Sequence, residues 1–273
     1  MICQSQGFFF RNVTGSIINF PLFLSLFLCY IEIRVYDSSG MLHIKLGGNE
    51  SMNFLSIFDV IGPNMIGPSS SHTAGAVSMA LLARKMCPEP ICKVTFTLYG
   101  SFAKTYHGHG TDRALLGGIL GFSTDDPRIR DAFDLAKEFG VEYEYVIDEE
   151  TVTDHPNTAD IAMTGVNGYE LMVRGESIGG GKVKIVRIGN IDVEFTGEYS
   201  TLIVKQLDTP GIVAHITQCL SNQNVNIAFM RLFREDKGAT AYTVVESDEP
   251  IPESILNEIK TNPHVRELML VQI

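Results

Sequence analysis

Three serines stand beside a histidine in Gly67-Pro68-Ser69-Ser70-Ser71-His72-Thr73-Ala74-Gly75, and the apolar stretch Ala76 to Arg84 follows directly. The pattern predicts a loop feeding a helix start, where serine hydroxyls cap free backbone N–H groups and the helix dipole favours an anion. One serine is enough for a cap ahead of a core helix. Three serines with a titratable imidazole in one turn suit a small ligand that carries a carboxylate, so Ser69, Ser70, Ser71, His72 and Thr73 are candidate substrate-binding residues. In His107-Gly108-His109-Gly110-Thr111-Asp112, two imidazoles alternate with glycines on a backbone that can approach a ligand closely; a surface turn is the alternative. In Asp154-His155-Pro156-Asn157, Pro156 excludes helix and holds His155 and Asn157 on extended backbone. A Pro-Asn turn is the simpler account of that stretch alone.

Metal chemistry has no cage of its own here. The five cysteines, Cys3, Cys29, Cys87, Cys92 and Cys219, are scattered, with no CxxC and no Cys-His spacing of a zinc site. Cys87 and Cys92 flank Pro88 and Pro90 and read as a turn carrying two buried thiols. Reduced thiols place the chain in the cytoplasm. A formal net charge of −11 argues against nucleic acid or an anionic membrane surface as partner.

These residues need elements to hold them, and 273 residues with 45% hydrophobic content can bury a core in two modest domains. Cys92 to Gly100 alternates as a strand, a helix runs through Ile129 to Phe139 and stops at Gly140, and Val141 to Val146 alternates strictly. Further strands are expected at Asp160–Thr164, Gly168–Ile178 and Lys182–Ile188, with Gly179-Gly180-Gly181 as a hinge, bulge or close backbone contact. The result is an α+β layered domain over residues 52–198. Residues 199–273 read as strand, helix, strand, hairpin, strand, helix, strand, a ferredoxin-like βαββαβ sheet. Its strands are expected at Tyr199–Gln206, Val225–Phe233, Ala239–Glu246 and Val265–Val271.

Residues 1–51 differ from the rest. Ile17 to Ile31 is uncharged but shorter than the roughly 20 residues of a membrane span, and no small-residue cleavage site follows it. We therefore expect the native product to start at Met52, with Gly47-Gly48 encoding a ribosome-binding sequence and the upstream residues not translated. A genuine anchor is the alternative.

The motifs together resemble a known family. The run Phe58-Asp59-Val60-Ile61-Gly62-Pro63 to Gly75, then Leu98-Tyr99-Gly100-Ser101, His107 to Asp112, His155-Pro156-Asn157 and Ser177-Ile178-Gly179-Gly180-Gly181, is similar in order and spacing to the beta chain of bacterial iron-sulfur L-serine dehydratase. The resemblance implies a subunit that packs on an alpha chain carrying a [4Fe-4S] cluster, and conversion of L-serine to pyruvate and ammonia. The cluster would belong mainly or wholly to the alpha chain, since four thiolates at suitable spacing are missing here. In that setting His109, His155 and Asn157 would handle protons and orient the substrate, with the serine loop and His72 on its carboxylate. The alternative is a regulatory or assembly subunit that touches no substrate. No lysine motif for pyridoxal chemistry is evident.

Asp208-Thr209-Pro210-Gly211-Ile212-Val213-Ala214 with Asn226-Ile227 resembles an ACT domain, a regulatory module that binds amino acids. That resemblance implies a ligand between Asp208, Gly211 and Asn226, and self-association through the domain; a role in assembly alone is equally compatible.

Overall fold

The computed structural model describes residues 63–272 in full and, before them, the backbone of four short strands. Two compact units result, residues 1–60 and 61–273. In the first, β1 (Phe10–Arg11) pairs antiparallel with β2 (Ile17–Ile18), and β3 (Ile31–Val35) with β4 (Leu42–Leu46). Met52, Gly47-Gly48 and most of the apolar run lie outside the described residues, and with them the expected start site and anchor. Among the described residues, no helix is long and apolar enough to cross a membrane.

The second unit opens on a turn and α1 (Gly75–Met86), whose buried residues Ala76, Val77, Met79, Ala80, Leu82 and Ala83 recur around the helix. β5 (Ile91–Tyr99) follows; Val94, Phe96 and Leu98 point inward from alternate positions. Then come α2 (Gly100–Thr105), α3 (Thr111–Ile119), a 3₁₀ turn (Pro127–Asp131) and α4 (Ala132–Glu138). They cross to β6 (Glu142–Asp148), which pairs parallel with β5. The remaining strands are β7 (Thr158–Gly165), β8 (Glu170–Gly179), β9 (Lys182–Ile188) and β10 (Ile191–Phe195). They complete a six-stranded sheet of order β10-β9-β8-β7-β5-β6.

The expected helix at 129–139 is in fact a 3₁₀ turn running into α4, because Pro127 and the Asp126 side chain, which accepts from the Arg128 N–H, set the first turn. β10 is an element that the alternation reading passed over. It is short, and it folds back on β9 through Gly189 at φ 57°. The triple glycine closes the β8–β9 hairpin with all three residues at positive φ and a register shift between Ser177 and Gly179.

The second sheet contains β11 (Ser200–Leu207), α5 (Ile212–Asn222), β12 (Phe229–Arg234), β13 (Thr240–Ser247), α6 (Ser254–Ile259) and β14 (Val265–Val271), in strand order β12-β13-β11-β14. β12 begins at Phe229 rather than Val225. The Val225 N–H bonds back to Leu220 at the end of α5 and the Ala228 N–H reaches Glu246, so the intervening residues serve the connection.

Both faces of the central strands β11 and β13 are buried. Leu202, Val204 and Val245 face α5 and α6, whereas Ile203, Val244, Met269 and Val271 join the core that holds α1 and the six-stranded sheet. The unbroken apolar run Leu202-Ile203-Val204 is the sequence mark of that double burial. Two polar contacts cross the junction: Tyr169 OH donates to Glu267, which also pairs with Lys205 beside it in the second sheet at 3.5 Å, and Lys85 Nζ donates to the Gln272 carbonyl. Desolvation beside Glu267 pushes the Tyr242 phenol up to about 12.

Candidate active site

The serine loop enters α1 through a single π-helical turn, Ser70–Ala74, a rare geometry that concentrates at functional sites. Ser69 is its cap. Extended at φ −136°, it accepts the His72 N–H on its hydroxyl at 3.1 Å and the Thr73 N–H on its carbonyl at 2.9 Å. The wide turn carries the His72 ring clear of the α1 core. Hydroxyls then surround the imidazole: Ser71 Oγ lies 3.0 Å and Ser69 Oγ 3.4 Å from Nδ1, and Ser101 Oγ lies 2.9 Å from Nε2.

His109 closes the cluster. Its ring centroid is 4.8 Å from that of His72, and Phe102 meets His72 edge-on at 5.3 Å. The HGHG turn that presents it is pinned from both sides, with the His109 N–H bonded to the Thr105 carbonyl and the His109 carbonyl accepting the Thr73 hydroxyl at 3.0 Å. Thr73 is therefore buried and supports the turn, while Ser69, Ser71, His72 and His109 share one half-buried surface. Ser70 contributes its carbonyl to the Gly75 N–H. Burial, and secondarily the neighbouring His109, lower the His72 pKa below its ordinary value. A neutral imidazole at physiological pH, with hydroxyls at both nitrogens, is equipped to accept a proton.

The other motifs reach this cluster through two serines that local pattern did not single out. Ser101 follows Gly100, whose φ of 53° and close approach to Pro156 O suit glycine alone; the Ser101 N–H donates to that oxygen at 2.7 Å. Ser177, fully buried, donates its hydroxyl to the Ser71 carbonyl at 2.8 Å and its N–H to the Asn157 carbonyl at 2.9 Å. His155 and Asn157 thus stand behind Ser101 and Ser177. The His155 Nδ1 accepts the Asn157 N–H at 3.1 Å, and Asn157 Nδ2 donates to the Ser177 carbonyl at 3.4 Å. Serine is too common for local pattern to mark either position; both stand in motifs that carry the family resemblance, beside Gly100 and the triple glycine.

His107 is held differently from His109. Its Nδ1 lies 2.8 Å from Asp112 Oδ2, a carboxylate only 7% exposed, while the imidazole itself is 75% exposed. Asp112 Oδ1 accepts the Arg113 N–H, and the Asp112 carbonyl accepts Tyr145 OH at 2.6 Å.

The described thiols do not fit a cluster cage. Cys87 is buried in the larger core, Cys219 in the smaller one, and Cys92 Sγ is 3.4 Å from the Thr164 carbonyl. Among the described residues, no group of three or more His, Cys, Asp or Glu side chains is arranged to hold a metal. In the second sheet, Asp208 Oδ2 accepts the Gly238 N–H at 3.1 Å and lies 3.4 Å from Arg234 Nη1, closing the β12–β13 hairpin. Gly211, at φ 95°, leads into α5, and Asn226 is exposed beyond its far end.

Comparison with known proteins agrees with this architecture. Residues 56–140 match the family model described as serine dehydratase beta chain, and residues 200–264 match the ACT domain. The chain is 42% identical over 208 residues to the L-serine dehydratase beta chain of Peptoniphilus asaccharolyticus, covering 76% of this chain and 94% of that one. It is 39% identical over 214 residues to the protein of Bacillus subtilis (strain 168) named "Probable L-serine dehydratase, beta chain", covering 78% and 96%. A D-3-phosphoglycerate dehydrogenase of Methanocaldococcus jannaschii is similar over only 92 residues, at 25% identity, covering 34% of this chain and 18% of that one. Identity at the level of the first two, sustained over nearly their whole lengths, makes the chain a member of the L-serine dehydratase beta-chain family.

Proposed function

We propose that this chain is the beta subunit of an iron-sulfur L-serine ammonia-lyase, acting with a cluster-bearing alpha chain to convert L-serine to pyruvate and ammonia. The observation that carries the reading is the His72–His109 contact inside a shell of serine hydroxyls, assembled from the SSSH, GS and HGHG segments.

Removing water from serine requires loss of the weakly acidic Cα proton and of a poor leaving group at Cβ. His72, whose pKa burial lowers, takes the proton, with the His109 ring against it. The Ser69 and Ser71 hydroxyls hold the substrate carboxylate, and Ser101 fixes the orientation of the His72 ring. Breaking the Cβ–O bond releases hydroxide, which leaves as water with one proton. The resulting enamine tautomerises to an imine and is hydrolysed to pyruvate and ammonium. His155 and Asn157 act behind this surface by fixing Ser101 and Ser177. We assign the [4Fe-4S] cluster to the partner, since of the thiols described here Cys87 and Cys219 are buried in separate cores and Cys92 bonds the Thr164 carbonyl.

Co-expression with an alpha chain under anaerobic conditions, followed by iron content and serine-dependent pyruvate formation, tests the reading. A complex that assembles, carries iron and turns over equally well with His72→Ala or His109→Ala would instead make this chain a regulatory or assembly subunit.

A further inference from the structure

The junction of the two sheets holds a cavity of about 430 Å³, bordered by α1, the β8–β9 hairpin, the connection into β11 and the loop after β13. That size and place suit a small-molecule site. It is separate from the Asp208–Gly211 turn where an ACT ligand is expected: the cavity touches Ser200 at the start of β11, and the turn follows Leu207 at its end, about 23 Å away at the usual strand rise.

The polar groups lining it are unevenly matched. Lys182 and Glu198 pair with each other at 3.2 Å. Asp248 and Glu249, on the loop after β13, have no ionic partner among the described residues, and the hydroxyls of Ser78 and Tyr199 make no hydrogen bond there. The residues that line this one cavity therefore include two carboxylates and two hydroxyls with no polar partner among the described residues. At the ACT turn, by contrast, the Asp208 carboxylate is already engaged by Gly238 and Arg234.

We propose that this junction cavity binds a small organic cation, an ammonium group on a short alkyl chain, as found in a diamine or a basic amino acid. The ammonium lies against Asp248 and Glu249 and hydrogen-bonds the Ser78 and Tyr199 hydroxyls. A free amino acid adds its carboxylate near Lys182. The site bears on the proposed active surface from two directions. Ser78 lies on α1, which the His72 turn begins, and Lys182 opens the second strand of the hairpin whose first strand carries Ser177.

The assignment stands apart from the catalytic reading, because binding can be measured on the full chain without a partner. Titration calorimetry with 1,5-diaminopentane, L-lysine and L-serine is the test. Saturable binding of L-lysine or the diamine is expected, weakened about tenfold in the Asp248→Asn/Glu249→Gln double variant, as loss of two exposed ion pairs implies. It should also weaken with added salt and be unchanged in Asp208→Ala. Binding of both ligands supports the ammonium alone as the recognised group; binding of L-lysine without the diamine adds the carboxylate contact. No saturable binding of either cation, preference for L-serine over both, equal binding by the double variant, or loss in Asp208→Ala would each overturn the proposal. Both carboxylates are exposed, so the double variant should melt with the wild type, which confirms that the readout concerns binding.

Discussion

His72 and His109 come from different segments of the chain and meet ring to ring at 4.8 Å, with Ser101 on the far nitrogen of His72. The contact depends on the π-helical turn and on the Thr73 hydroxyl, which ties the two loops together through the His109 carbonyl. It divides the residues of the site into those that face a substrate and those that hold them in place.

His109→Ala should separate rate from stability. The ring lies on a half-buried turn whose backbone is fixed independently, so the loss of stability should stay near 0.5 kcal/mol, whereas loss of an acid–base group costs about 10²–10⁴-fold in rate. Melting temperature and turnover of the reconstituted complex, measured together, check this. A parallel fall in both would identify His109 as a packing residue.

The lowered His72 pKa sets a direction for pH dependence. Between that folded value and the ordinary 6.5, the unfolded chain binds more protons than the native one, so stability rises with pH across this window. The contribution is complete above 6.5 and is lost as pH falls through the folded value. Melting curves for the wild type should therefore fall more steeply than those of His72→Gln as the pH drops below about 6.5. In kcat/KM, the acid limb should lie below the ordinary histidine range. His109→Ala should move that limb part of the way back up, since burial is the larger cause and His109 the smaller.

Gly100→Ala tests the platform under Ser101. A side chain at φ 53° is strained, and its Cβ would come 2.6 Å from Pro156 O, the acceptor of the Ser101 N–H. We expect a loss of about 1–3 kcal/mol in urea unfolding, with lower turnover per folded complex as Ser101 and the His155 loop separate. Wild-type turnover in the folded fraction would show that the loop position does not matter to the chemistry.

Asp112→Asn removes the charge that holds His107 and accepts the Arg113 N–H in the first turn of α3. The carboxylate is buried, so unfolding should become easier by about 1–3 kcal/mol, whereas His107→Gln, which changes an exposed side chain, should cost less. Equilibrium denaturation of the two variants gives the comparison. The reverse order would mean that the Arg113 N–H and the imidazole are minor partners of Asp112.

Much of this was legible from residue pattern. Cys92 to Leu98 alternates because β5 buries one face under helices, and the Glu235–Gly238 turn announced the β12–β13 hairpin. The α+β layering and the βαββαβ order followed from such segments. What local pattern could not reveal was the partner of each side chain. His72 reads equally well as a cap neighbour until the α2–α3 turn delivers His109, and Ser101 and Ser177 gain importance only through contacts with distant residues. The same holds for Asp208, whose acceptor atom is claimed by a hairpin thirty residues on, at Gly238.

Helix α1 begins at the His72 turn and ends where Lys85 reaches Gln272, just past the last strand of the second sheet. That sheet offers Ile203, Val244, Met269 and Val271 to the same core as Met79 and Leu82. The inward face of the C-terminal sheet therefore answers to α1 rather than to the requirements of ACT domains at large. A graft of an unrelated ACT domain after residue 198 would keep the fold of the module and present the wrong surface to the helix. Transplants should succeed only when those inward residues travel back with the host, so that the module is inherited together with the helix it covers.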